Sequence, residues 1–338
     1  MAAEVPILEA LGYEVFIPRL TPDVDPELHR AIAEHQQSAS FGLHAAELAE
    51  LIAHDFYVSP WSPSLIDMLN KRFDVLVAAC TGYTASLFEA VRHFEGKIVA
   101  RAFGREHPRT FGEFFAGPDG APVLARIGAL GDRFIFGQAY RNIAEEEGPE
   151  LASRARDIVT PLGGWVYERA GDWNGRSGRV LLLCPRILGT GYYRDIYNGH
   201  KRDFGHLPHE IFGRQVGPVG DPAILPYLSD KALLDRYAAA AVFVYPSTEP
   251  RHVHYSPIEA MVVGTPVLYR QDALIGRVLD GANLPGACRN TAEMRTKAGA
   301  LVAGDRDLAD AIRAGQGVIV EHLSGDLARR QWSAVLSG

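Results

Sequence analysis

Short apolar runs alternate with longer amphipathic stretches along the whole chain. In the first half the runs fall at residues 14–17, 73–79, 97–102, 133–136 and 156–159, each bounded by Gly, Pro, Asp or Thr. Runs of this length, rich in Val, Ile, Leu and Phe without polar alternation, predict strands of a parallel sheet covered on both faces. Between them, residues 67–71, 84–93 and 110–115 predict helices, and Leu87, Phe88, Val91 and Phe94 recur at the spacing of one helical face. The second half restarts with Arg179-Val-Leu-Leu-Leu-Cys184 and continues with strands expected at 210–212, 241–245 and 266–268. Helices are expected there at 231–240, 256–263 and 305–314.

This alternation predicts an α/β protein with two Rossmann-like domains, and 338 residues exceed what one hydrophobic core usually supports. Gly171-Asp-Trp-Asn-Gly-Arg-Ser-Gly178 is polar and glycine-rich and is expected to be the crossing between them. The expected division is 1–170, 179–320 and a C-terminal helix over 321–338 that crosses back to the first domain. Residues 7–11 read as the end of a helix running through Gly12 into the strand at 14–17. Such a domain normally opens with a strand, so the first half is expected to lack that strand or to begin upstream.

Hydrophobic residues make up 47% and charged residues 22%, the balance of a folded globular protein. A net charge of -7 supplies no overall basic field for nucleic acid or an acidic membrane surface. Three widely spaced cysteines, Cys80, Cys184 and Cys288, favour neither a disulfide framework nor a zinc cluster and suit a reducing cytoplasm. No stretch approaches the roughly 20 apolar residues of a membrane span. A cytoplasmic location is expected, with peripheral attachment to the inner face of a membrane left open.

The segment richest in chemistry runs from Ala241 to Leu268 as strand, polar loop, helix and strand. Its loop carries Glu249, Arg251, His252, His254 and Tyr255 to the carboxyl edge of the sheet, and Ser256-Pro257 is expected to open the helix with a hydroxyl cap. A helix N-terminus accepts an anion such as a diphosphate, and Glu259, one turn in, can accept two vicinal ribose hydroxyls. Arg186 and Arg214 each follow a strand at the same edge, where α/β proteins bind ligands, and are expected to converge there; the plainer alternative is that they are surface or ion-pair residues.

In Tyr245-Pro-Ser247, Ile258-Glu-Ala-Met261 and Gly264-Thr-Pro-Val267 the chain resembles GT-B glycosyltransferases of the glycosyl transferase group 1, family 4-like, kind. Leu228-Ser-Asp-Lys-Ala-Leu-Leu-Asp-Arg-Tyr237 resembles the helix leading into that loop, so the likeness covers about half the chain. It implies parallel sheets facing across a cleft and metal-free transfer of a sugar from a nucleotide-diphosphate sugar, a substrate rather than a cofactor. The implied donor site comprises Arg186, Arg214, His254, Tyr255, Ser256 and Glu259, and the implied acceptor is a glycan, a lipid-linked molecule or a small molecule. Two departures stand out. Many retaining members carry a second glutamate where this chain has Arg251, leaving Glu249 as the loop's other carboxylate, and His254 and Tyr255 replace glycines.

In the first half, Cys80-Thr-Gly-Tyr83 and Arg101-Ala-Phe-Gly-Arg-Glu-His107 follow strands, and the acceptor side is expected there, with His107 or Glu106 as acid or base and Arg101 holding an anionic group. His252 and His254 have no third ligand at metal-site spacing, so no metal is expected. Tyr192-Tyr-Arg-Asp-Ile-Tyr197 fits a helix burying aromatics better than a nucleic-acid platform. The alternatives to transfer are a nucleotide- or glycan-binding scaffold without turnover and a sugar-nucleotide epimerase of the same architecture.

Overall fold

The computed structural model describes residues 2–18, 42–81 and 84–337. The chain divides into two compact units, Met1–Pro161 with Gly325–Gly338, and Leu162–Ser324. The C-terminal helix Gly325–Ser337 therefore belongs to the first unit, and the chain passes between units after Pro161 and after Ser324.

The first unit holds a parallel sheet of β1 (Val75–Ala79), β2 (Lys97–Ala102), β3 (Phe134–Gln138) and β4 (Ala155–Asp157), in the order β1-β2-β3-β4. β3 is buried along its whole length, as an unbroken apolar run in a covered parallel sheet should be. Helix Pro63–Arg72 starts where the Ser62 hydroxyl accepts the Leu65 N–H with proline next in sequence, and ends on Lys71 and Arg72, favourable at a helix C-terminus. Val99, Ile135 and Ile158 pack with Trp332 and Val335 of the C-terminal helix, and Ile7, Leu8 and Leu11 lie against the same cluster.

Residues 14–17, expected as a strand, enter no ladder among the described residues. Phe16 packs edge-on against Phe56 and Phe73 at 6.5 Å each, and Pro18 offers no N–H for pairing. The Phe16 ring ties this stretch to the unit. The helix expected at 110–115 is a 3₁₀ turn, Phe111–Phe115, held by a capping box between Thr110 and Glu113.

The second unit holds β5 (Val180–Leu183), β6 (His209–Phe212), β7 (Val242–Tyr245), β8 (Val267–Arg270) and β9 (Ala287–Cys288), all parallel, in the order β6-β5-β7-β8-β9. The two-residue β9 is too short to leave a periodic signal. Chain order runs outward from β5 to β6, then returns past β5 to β7, so the direction reverses between β5 and β7. The loops leaving the carboxyl ends of those two strands part company, which is where open α/β sheets bind ligands.

Gly171–Gly178 is not a crossing but part of the second unit. The N–H groups of Gly171 and Trp173 bond to the carbonyls of Val262 and Val263, and those of Asn174 and Ser177 to Ala238 and Ala239. Trp173 also donates its indole N–H to Ala240 and lies under the guanidinium groups of Arg306 and Arg313. A polar, glycine-rich stretch can satisfy its backbone on a folded surface as readily as in a linker. Cys80, Cys184 and Cys288 are buried free thiols. Burial pushes the first two up to about 12 and the third to about 11, well away from a reactive thiolate.

Candidate functional site

The carboxyl edge of the second sheet gathers three loops. After β5, Arg186 sits at a φ of 52°, in the left-handed region that a non-glycine residue rarely enters. Its N–H donates to the Arg214 carbonyl at 2.8 Å and its carbonyl accepts from Gly189 at 2.7 Å. The β5 and β6 loops are thus joined backbone to backbone at the two arginines. Arg186 is exposed, while Arg214 is half-buried with its guanidinium 5.8 Å from the Tyr227 ring.

Sequence reasoning passed over two residues that build this junction. Gln215 donates to the carbonyls of Cys184 and Gly213 and accepts the Ile187 N–H at 3.0 Å, clamping both loops with one amide. Gly213 has a φ of 129°, and a Cβ there would lie 2.7 Å from Pro185 N, so only glycine lets the loops approach this closely.

The third loop follows β7. Helix Tyr255–Val263 has His254 rather than Ser256 at its N-cap, so Ser256 and Pro257 lie in the first turn. His254 contributes no side-chain cap bond; its N–H donates to the Tyr245 hydroxyl at 3.2 Å, and its Nδ1 lies 3.2 Å from the same oxygen. Tyr245, buried at the end of β7, is therefore the post around which the loop returns. A proline at the third helical position deletes an N–H that has no acceptor within the helix, leaving the amides of Tyr255 and Ser256 to head it. Gly264, at a φ of 93°, ends the helix in the left-handed conformation.

Glu259 lies one turn in, half-buried, and its Oε2 accepts the Tyr237 hydroxyl at 3.1 Å. Burial pushes its pKa up to about 7; Tyr237 pulls it back down and Asp230 adds a further upward push. Glu249 is half-buried beside Tyr245, Ser247 and His252, its N–H bonded to the Ser247 hydroxyl and its carbonyl to the Leu274 N–H. Arg251, where the resemblance calls for a glutamate, is 1% exposed. The rings of His252 and His254 are edge-to-face at 4.9 Å, and among the described residues no three His, Cys, Asp or Glu side chains gather as a metal site.

The first-unit candidates do not form a shared site. Arg101 is fully buried and donates to Glu4 Oε1 from both Nε and Nη2, to the Gly137 carbonyl and to the Thr160 hydroxyl. Trp332 also donates to Glu4 Oε1, at 3.2 Å. With its guanidinium committed inside the unit, Arg101 has no surface to offer an acceptor. His107 is exposed, with Nδ1 3.3 Å from Glu146 Oε2, and Glu106 beside it is exposed too. Cys80 is buried and Thr81 exposed; Gly82 and Tyr83 lie outside the described residues.

No family model and no curated protein matches the sequence. Solved structures do match. HepE of Anabaena, in complex with UDP and glucose, aligns with a TM-score of 0.62 at 14% identity, covering 100% of this chain and 96% of that one. A glycosyltransferase from Rickettsia africae ESF-5 aligns at 0.60 and 12% identity, covering 99% and 94%. TarM aligns at 0.57 and 15% identity over 81% of this chain, which spans 57% of TarM. The fold is that of GT-B glycosyltransferases. The three loops of the second unit thus lie at the carboxyl ends of the strands of a GT-B sheet. Among the described residues no helix is long and apolar enough to cross a membrane.

Proposed function

We propose that the protein is a glycosyltransferase that moves a sugar from a nucleoside-diphosphate donor to an acceptor hydroxyl, with the donor held on the second unit. The observation that carries this reading is that one sheet edge holds a helix N-terminus, a half-buried carboxylate one turn into that helix and two arginines on joined loops. In transfer, the bond from the sugar's anomeric carbon to the diphosphate breaks and the diphosphate leaves with the electron pair. A bond to the acceptor oxygen forms, and the acceptor proton is released. Glu259 accepts the ribose diol. Arg186, Arg214 and the amides of Tyr255 and Ser256 hold the charge that grows on the diphosphate without a metal, and His254 adds a further donor toward it. Glu249, the loop's other carboxylate, is assigned to a donor hydroxyl or to the acceptor proton. His107 and Glu106 remain the first-unit candidates for the acceptor side, a glycan, a lipid-linked molecule or a small molecule.

Titration calorimetry with UDP, GDP, ADP, TDP and CMP tests the donor site. One nucleoside diphosphate is expected to bind, and Glu259→Ala to weaken it by at least about tenfold, the worth of a charge-assisted hydrogen bond. Equal binding by Glu259→Ala would remove Glu259 from the site. The buried Arg251 in place of a glutamate favours a second reading, a nucleotide-binding scaffold without turnover. Release of nucleoside diphosphate from the matching nucleotide sugar only when an acceptor is present separates transfer from that scaffold and from an epimerase.

A further inference from the structure

Glu259 is held by a residue that nothing in the donor motif singles out. Tyr237 is fully buried, its ring 5.9 Å from that of Phe212 and 6.1 Å from that of Phe243. Its backbone carbonyl accepts the Thr265 hydroxyl at 2.8 Å. The ring is enclosed by these contacts, and its hydroxyl donates to Glu259 Oε2 at 3.1 Å. A phenol has one proton. With that proton given to Glu259, Tyr237 occupies one carboxylate oxygen from the protein side and leaves Oε1 for a ligand.

We propose that Tyr237 is a positioning residue for donor binding: its hydroxyl holds Glu259 ionised and oriented, so that nucleotide affinity follows the protonation of Glu259. This role rests on Glu259 being the ribose acceptor. Two opposing influences act on the carboxylate besides burial, Tyr237 favouring its charge and Asp230 opposing it, both on helix Asp230–Ala239. The other elements packed on helix Tyr255–Val263 carry Tyr167, Tyr245, Tyr269, Arg270 and Glu321, and none of these is among the groups that act on Glu259. Only the ionised carboxylate accepts both hydroxyls of a diol, so affinity rises with pH through about 7.

The test is the pH profile of binding, from pH 5.5 to 9, of whichever of UDP, GDP, ADP or TDP binds the wild-type protein. Glu259→Gln supplies the baseline, since the diphosphate's own titration is common to every variant. Tyr237→Phe removes one oxygen and no packing volume; it is expected to move the midpoint up by about one pH unit, so that affinity is about fivefold weaker at pH 7 and within about twofold of wild type at pH 9. Asp230→Asn is expected to move the midpoint down. Tyr237→4-aminophenylalanine keeps a donor and is expected to fall between; it carries the test should the phenylalanine variant not fold. If Tyr237→Phe overlays the wild-type profile, or is weaker by the same factor at every pH, while Glu259→Gln binds poorly, Tyr237 does not hold Glu259 ionised and the proposed link between affinity and protonation is overturned, while the donor site stands. If Glu259→Gln binds as tightly as wild type with the same profile, the donor-site reading itself fails.

Discussion

At the scale of single residues, Arg101 and Glu259 have opposite meanings. Arg101 and Glu4 form an ion pair at 2.6 Å inside the first unit, with side chains 0% and 3% exposed. Its partners are all internal, so Arg101→Ala leaves Glu4 buried without its counter-charge. A loss of about 3–5 kcal/mol in chemical denaturation is expected, with nucleotide affinity unchanged. Glu259 is half-buried without a counter-charge, and its folded pKa of about 7 lies above the 4.5 of an unperturbed glutamate. A raised folded pKa means stability that is complete below about pH 4.5 and is lost as pH rises through about 7. Glu259→Gln is therefore expected to be about 2 kcal/mol more stable than wild type at pH 8 and equal to it at pH 4.5, measured by urea unfolding at both pH values. Stability gained where nucleotide affinity is lost is the pattern of a functional carboxylate. The sequence placed Glu259 through its motif, but it presented Arg101 as a residue after a strand, and only packing reveals that this end of β2 turns its guanidinium inward.

At the scale of elements, the proposed donor edge depends on how close two loops come. β5 and β6 are in register from Val180 with His209 to Leu183 with Phe212, and their loops meet through Gly213 and Gln215. Gly213→Ala places a Cβ within 3 Å of the Pro185 and Cys184 backbones at a φ of 129°. Backbone cannot yield as a flexible side chain can, so a cost of about 1–3 kcal/mol is expected, together with weaker nucleotide binding as Arg186 and Arg214 separate. Thermal unfolding and calorimetry on the same variant report both effects. β1, β2, β3, β5, β7 and β8 were legible because apolar runs and their punctuation are local properties. β9 was not, because two residues carry no period, and residues 14–17 read as a strand because apolar content alone does not decide whether a segment joins a ladder.

At the scale of the whole molecule, the two ends of the described chain share one core. Trp332, 0% exposed, and Val335 cover Val99, Ile135 and Ile158 alongside Ile7, Leu8 and Leu11. A chain ending at Ser324 would leave that sheet face open to water. It is expected to bind the apolar dye ANS and to aggregate, whereas Trp332→Ala, with the helix still present, is expected to cost about 3–5 kcal/mol and to keep the first unit folded below its lowered melting temperature. Dye fluorescence and light scattering distinguish the two.

The sequence by itself determined the α/β class, the parallel strands, the position of the strand-loop-helix segment at 241–268 and the candidacy of Arg186, Arg214 and Glu259. Those follow from periodicity and short-range spacing, which are written in neighbouring residues. Tertiary structure alone decided that the glycine-rich segment at 171–178 folds onto the second unit, that Arg101 pairs with a residue 97 positions away, and that Tyr237 reaches Glu259 across two helices. Each of these is a contact between residues far apart in the chain, and which distant side chain satisfies a buried polar group is settled only when the core closes around it.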